Sequence, residues 1–287
     1  MHHLVLVVAV ICSQGRAWEA PIVNLSCFGD QPGDGCEAAA TKLLHAASES
    51  GGGAFVLHGH GINDNFIDNV LSCSRRLFTE VGMEEKQRLS ITGHGLTRGY
   101  IPLGGESGSD REEIKEAFSY GFEWPEGYTS FTNKFQGPNV WPAEASPEDK
   151  RVLNEWFSHA TRLGLSLAEA FSSVLETIVD QMVRQSVYRG FSDILLSMEM
   201  IAQVMSPKGA PERISLVHFY YPNYNTTLEG LLETHAAKRT SLMADQKEGG
   251  ASRWIAEEDS YMMSFGDFIA AKWSQVYRPM SQSDEEL

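Results

Sequence analysis

Arg98-Gly-Tyr-Ile-Pro-Leu-Gly-Gly-Glu-Ser-Gly108, followed two residues later by Arg111-Glu-Glu-Ile-Lys-Glu-Ala-Phe-Ser-Tyr-Gly121, is the stretch of this 287-residue chain on which the fold turns. The first part reads as a short strand that stops at Pro102 and enters a glycine-rich loop. A charged segment follows, and Ala117-Phe-Ser-Tyr120 leaves it as an aromatic strand. Gly104-Gly-Glu-Ser-Gly108 has no Lys and opens no long helix, so it is not a phosphate cradle. No Gly-x-Ser-x-Gly elbow, P-loop or dinucleotide fingerprint stands in a supporting context elsewhere.

The chain around this block has the balance of a globular protein. Its 42% hydrophobic and 21% charged residues supply a core, and the length fits one large domain with an N-terminal elaboration. A formal net charge of −15 leaves no basic stripe to displace counterions, which excludes nucleic acid as a partner.

Residues 4–12 are an apolar run far shorter than the ~20 residues a helix needs to span a bilayer, so no membrane span is expected. With small residues around Gly15-Arg16-Ala17, residues 1–17 read as a signal peptide, implying the secretory pathway or the extracellular space. The alternative is a buried N-terminal strand and a cytoplasmic protein, which the lack of Lys or Arg before the run favours. Cys12 lies in the presumed leader. Cys27, Cys36 and Cys73 have no metal or redox spacing, and either a Cys27–Cys36 loop or buried thiols fit them. Asn24-Leu-Ser and Asn225-Thr-Thr match the glycosylation acceptor pattern, meaningful only in a secreted chain.

Upstream of the block, residues 21–25 read as a strand, 36–49 as a helix ended by glycines, and Ala54-Phe-Val-Leu-His58 as a second strand. Helices are expected over residues 63–80 and from Met83. Downstream, Ser146-Pro-Glu-Asp149 is a strong helix start, with Ser at the cap, Pro at the first helical position and acids in the first turn. That helix is expected to reach about residue 175 with one apolar face, including Trp156, Phe157 and Leu167. Residues 178–210 read as helical and then loose. Ile214-Ser-Leu-Val-His-Phe-Tyr-Tyr-Pro222 reads as a strand.

Taken in order, these blocks resemble the isopenicillin N synthase-like oxygenases, over about residues 20–280. Gly52-Gly-Ala-Phe-Val-Leu-His-Gly-His-Gly-Ile62 is similar to the family's strand and His-Gly-Ile turn. The Tyr221-Pro222 strand end and the pair Trp254-Ile255 with Tyr261-Met-Met-Ser-Phe-Gly-Asp-Phe268 are similar to its later strands. The resemblance implies a mixed α and β protein with a double-stranded β-helix (a jelly-roll, cupin-like core), flanking helices and C-terminal strands missing. It divides the chain into a leader at 1–17, an N-terminal dioxygenase region at 18–130, a helical linker and packing helix at 131–210, and a truncated jelly-roll region at 211–287. Fe(II), 2-oxoglutarate and a small organic substrate are the implied cofactors and partner. The turn histidine His60 would lie away from the metal, satisfied by backbone groups.

In this family two histidines and one carboxylate hold the iron, leaving open positions for co-substrate and O₂. The first two ligands form His-x-Asp, because residues i and i+2 of a strand face the same side. Here the match is Glu233-Thr-His-Ala-Ala-Lys238: His235 takes the first metal position and Ala237 stands where the carboxylate belongs. Glu233, two residues before His235, shares its face. The distal histidine is expected near Gln282, where no His stands, and no Arg-x-Ser for the far carboxylate of 2-oxoglutarate follows that position. Asp245 falls on the outer part of the next strand. Tyr221 matches a tyrosine that hydrogen-bonds 2-oxoglutarate, with Phe219 in place of the companion asparagine. A strand aromatic packed in the barrel is the alternative for Tyr221. The implied activity is oxidation of a small molecule, and the alternative is a non-catalytic binding or scaffold protein that keeps the fold.

Overall fold

The computed structural model describes residues 4–7, 21–26, 36–47, 54–95, 97–106, 114–174, 198–204, 213–221, 224–225 and 263–277. They fall into two compact units, Met1–Ser72 with Ser158–Arg184, and Cys73–Phe157 with Gln185–Leu287.

The first unit has a three-stranded sheet of β1 (Leu4–Val7), β3 (Ala54–His58) and β2 (Ile22–Asn24), in that order. β1 runs antiparallel to β3 and β2 parallel to it. Leu4–Val7 pairs along its length with Ala54–Leu57. Phe55 and Leu57, two residues apart on β3, share a face and are buried with Val23 and Leu25. Leu43 and Ala46 of α1 (Cys36–Ala47) and Leu167 and Ala170 complete that core.

The second unit is built on an antiparallel sheet of four strands in the order β4 (Gly99–Ile101), β5 (Lys115–Gly121), β6 (Met198–Val204) and β7 (Arg213–Phe219). The opening block therefore forms β4 and β5, paired Gly99 to Ser119 and Ile101 to Ala117. Residues of β5 from Ala117 to Gly121 are buried on both faces, so the sheet is covered on each side. One face carries Phe118, Tyr120 and Ile201, and meets Trp141 and the start of α4 (Pro147–Val174). There the Tyr120 hydroxyl donates to the Leu153 carbonyl at 3.0 Å, which satisfies a phenol that is 0% exposed. The other face carries Ile101, Ala117, Val217 and Phe219 beneath α5 (Phe265–Val276) and Phe135.

Two glycines explain the block's motif. Gly99 has φ +123°, and a Cβ there would lie 2.2 Å from the Leu89 carbonyl oxygen, to which the Tyr100 amide donates at 2.7 Å. At Gly121 a Cβ would lie 2.2 Å from Arg98 Nη2, so the first and last residues of the block pack directly together. Arg98 is 4% exposed; burial lowers its pKa to about 10, opposed by the negative charge of Glu123, and its Nη1 donates to the Thr97 carbonyl at 3.0 Å. It stays charged at neutral pH.

The helices α2 (Asp64–Thr79), α3 (Met83–Arg88) and α4 form where expected. At the head of α4, Ser146 Oγ accepts from the Asp149 amide at 3.0 Å and donates to Asp149 Oδ2 at 2.8 Å, a reciprocal cap.

Two expectations are corrected. Residues 198–204 are not helical or loose but form β6, registered along its whole length with β5 and β7. Its Met, Glu, Ala and Gln are good helix formers, and pairing with two strands overrides that local preference. Second, the described end of the expected strand pair, from Phe265 to Phe268, is helical: α5 starts at Phe265 with Ser264 as its cap, and Trp254, Ile255 and Tyr261 lie outside the described residues. Ser264 Oγ accepts from the Asp267 amide at 3.1 Å and donates to Asp267 Oδ2 at 2.8 Å. The Gly-Asp dipeptide sits in a first helical turn, not a hairpin. The coarse class, mixed α and β with helices flanking an antiparallel sheet, is what the described residues show. The second sheet of a double-stranded β-helix is not among them.

Candidate functional site

His235, Glu233, Ala237, Asp245 and Gln282 lie outside the described residues. Among the described residues, no group of three His, Cys, Asp or Glu side chains is placed to hold a metal. His60 is placed as expected for a turn histidine: its Nδ1 accepts from the Ile62 amide at 3.2 Å, and burial lowers its pKa, opposed by the nearby Asp64 carboxylate. Cys73 is buried as a thiol, and desolvation pushes its pKa up to about 11; the Cys27–Cys36 pair lies outside the described side chains.

Tyr221 is described. It follows β7 on the α5 side of the second sheet and is half-buried in aromatic surroundings. Its ring stacks on Phe219 with centroids 5.6 Å apart and an interplanar angle of 13°. Phe265 lies at 5.2 Å and Trp273 at 6.3 Å, both from α5. Burial raises the Tyr221 pKa strongly, and the negative charge of Glu106 adds to it. Tyr277, buried just after α5, is raised in the same way by burial, then by Glu106 and Tyr221. Glu106 forms a β-bridge with Tyr277 through its backbone, and its carboxylate pairs with Lys115 at 2.9 Å. Chemically this is a neutral arrangement: two phenols kept protonated beside a compensated carboxylate.

The sequence pointed to Tyr221 but not to Glu106, Lys115 or Tyr277 as its neighbours. Glu106 and Lys115 both belong to the opening block, which was the one available signal. Their meeting with Tyr277 depends on pairing between segments far apart in the chain.

In the sequence His235 is followed by two alanines, where the family's His-x-Asp pair has a carboxylate two residues on.

Residues 20–144 match the family described as non-haem dioxygenase in morphine synthesis N-terminal, and the chain is similar to 2-oxoglutarate-dependent dioxygenases. The 2-oxoglutarate-dependent dioxygenase thnC of Trichoderma harzianum is 28% identical over 238 residues, 77% of this chain and 66% of thnC. Homoarginine-6-hydroxylase 2-ODD-C23.2 of Arabidopsis thaliana is 30% identical over 43% of this chain and 34% of its own length. Azadirone synthase LFS of Melia azedarach is 29% identical over 58% of this chain and 49% of its own length. The chain thus spans a third to a half of the first curated relatives it matches.

Among solved structures, a putative 2OG-Fe(II) oxygenase family protein from Caulobacter crescentus superposes with TM-score 0.51 at 23% identity, covering 68% of this chain and 59% of that one. A Neurospora crassa protein, solved in complex with alpha-KG and thymine, gives 0.50 at 20% identity, covering 67% and 57%. These likenesses concern the fold.

Proposed function

We propose that this chain is an oxygenase-fold protein of the Fe(II)/2-oxoglutarate class that receives a small organic molecule. We propose further that the polypeptide as written binds without turning it over. The match of residues 20–144 to that family and the likeness to thnC support the first half. The second half is carried by one internal position: Ala237 has no donor atom where the His-x-Asp pair needs a carboxylate. An enzyme relying on that pair would lose tight iron binding when the carboxylate is replaced by a methyl group.

A catalytic reading rests on Glu233, which lies two residues before His235 and could supply the carboxylate from the other side of the histidine. The two readings separate on anaerobic Fe(II) titration of the purified chain beside its His235→Ala and Glu233→Ala variants. Equal, substoichiometric binding by all three supports the non-catalytic reading. Stoichiometric iron lost in both variants, with succinate released from 2-oxoglutarate, overturns it and leaves the family assignment intact.

The leader at residues 1–17 and a secretory location are a further part of this proposal. Asn24, in the first acceptor pattern, is exposed on β2. A glycan on Asn24 after expression through a secretory pathway would support the location, and an intact N-terminus in the purified protein would count against the leader.

A further inference from the structure

The joint between β3 and α2 turns on a histidine. His58 ends β3, and Gly59-His60-Gly61-Ile62 carries the chain to Asn63, whose side-chain oxygen accepts from the Asn65 amide at 2.8 Å as α2 begins. Within that turn the Ile62 amide donates to His60 Nδ1 at 3.2 Å, and Ile62 itself is buried. An imidazole nitrogen accepts only while it carries no proton, so this geometry needs the neutral ring with its proton on Nε2. Gly59 and Gly61, on either side of the histidine, have φ +68° and +74°. Glycine leaves that region freely, so the backbone has other shapes open to it once the His60 bond is lost. The titratable groups that face His60 are Asp64, in the first turn of α2, and His58, at the end of β3. The chain leaving β2 meets Gly59 through the Asn24 and Ser26 side chains and brings no charge. Burial favours the neutral ring, the Asp64 carboxylate opposes it, and His58 acts with burial.

We infer that His60 is a proton-sensitive latch on this turn: as the neutral ring it holds Ile62 and the entry to α2 in place, and as the imidazolium it releases them. In the imidazolium both ring nitrogens donate, so an Nδ1–H would meet the Ile62 N–H, donor against donor. The ring turns away, and the Ile62 amide is left without its acceptor. The sign with pH follows from the lowered folded-state pKa, which lies below the ordinary value of about 6.5. The unfolded chain takes up the proton more readily than the folded one, so the latch contributes fully above about pH 6.5. Its contribution is lost as the pH falls from there through the folded value. The device belongs to the first unit and calls on no metal or co-substrate.

The test is amide hydrogen exchange of the full chain, read by two-dimensional NMR at pH 8 and pH 4.5 and corrected for the intrinsic rate at each pH. Protection of the Ile62 amide is expected to fall about three- to tenfold at the lower pH, the effect of losing one hydrogen bond of ordinary net strength. The Val56 amide, which donates to the Pro21 carbonyl at 2.9 Å inside the sheet, is the internal reference and should hold its protection. Nitrogen shifts of the His60 ring at pH 8 should show a bare Nδ1, and a protonated Nδ1 there overturns the inference. So does equal protection of Ile62 at the two pH values. His60→Asn supplies an oxygen that can accept from the amide two residues on but does not titrate, and it is expected to keep Ile62 protected at both. A folded His60→Asn protein with the wild-type pH response overturns the latch. Should that variant not fold, the wild-type comparison decides alone: loss at Ile62 with Val56 unchanged supports the latch, and equal loss at both amides refutes it. With no metal in the experiment, its outcome is independent of the iron titration that tests the proposed function.

Discussion

The heads of α4 and α5 use the same device and sit in opposite circumstances. Ser146-Pro-Glu-Asp149 and Ser264-Phe-Gly-Asp267 each place a serine at the cap and an aspartate three residues on. In both, the serine hydroxyl accepts the aspartate amide and donates to its carboxylate. The difference lies in what the carboxylate does next. Asp149 is 5% exposed, and its Oδ1 accepts from Arg76 Nε at 3.2 Å as well as pairing with Nη2. Asp267 is exposed and receives the Tyr224 hydroxyl. The first cap is locked into the core of its unit, while the second is a surface cap on a helix whose grip comes from apolar packing. A local signal starts a helix in both places; tertiary contacts decide how much depends on it.

The widest test of that contrast is the apolar grip of α5. Trp273→Ala is expected to destabilise the protein by about 3–5 kcal/mol, the range for removing a large buried aromatic side chain. Thermal or denaturant unfolding measures it, with Leu153→Ala in α4 as the matched control at about 2–5 kcal/mol. A Trp273→Ala cost below about 1 kcal/mol would mean that α5 does not pack on the sheet, since surface substitutions fall in that range.

Next in size is the Asp149 lock. Burial opposes ionisation of Asp149, but hydrogen bonds from Arg76 and Ser146 outweigh it and hold the pKa down at about 2. Asp149→Ala is expected to cost about 2–3 kcal/mol, because it removes a cap and leaves the partly buried Arg76 without its counter-ion. The sign with pH follows from the depressed value. An unfolded aspartate titrates near ~3.9, so the contribution is fully present above that pH and is lost as pH falls towards 2. Unfolding at pH 6 and pH 2.5 should show Asp149→Asn losing most of its deficit at the lower pH. A deficit equal at both values would show that the carboxylate is not the source.

Those effects also mark how far the sequence could be read. The Arg98–Gly121 block was legible because its information is local: glycines where the backbone approaches closely, and aromatic residues flanking them. The α4 cap was legible for the same reason. β6 was not, because Met198-Glu-Met-Ile-Ala-Gln-Val204 carries helix-forming residues and becomes a strand only between β5 and β7. α5 was missed although its capping pattern was present, because Gly266-Asp267 was assigned to a turn by family likeness. The position of Tyr221 just after β7 was readable, but its neighbours Glu106 and Tyr277 were not; long-range strand pairing leaves no short-range trace.

The smallest effect is the most discriminating one. Ser264→Ala removes the cap that α5 owes to its own sequence and leaves Trp273 and Ile269 in place. A cost of about 0.5–1 kcal/mol is expected, towards the low end for an N-cap serine, because Asp267 is exposed and water can replace the lost bond. Ser146→Ala should cost more, about 1–2 kcal/mol, since Asp149 loses one of the groups holding it in a buried site. Two independent single variants measured by denaturant midpoint at constant slope give the ordering directly. Equal costs would show that burial of the carboxylate does not amplify a cap. A Ser264→Ala cost near zero, with Trp273→Ala still large, would show that α5 is held helical by the sheet beneath it and not by its first turn.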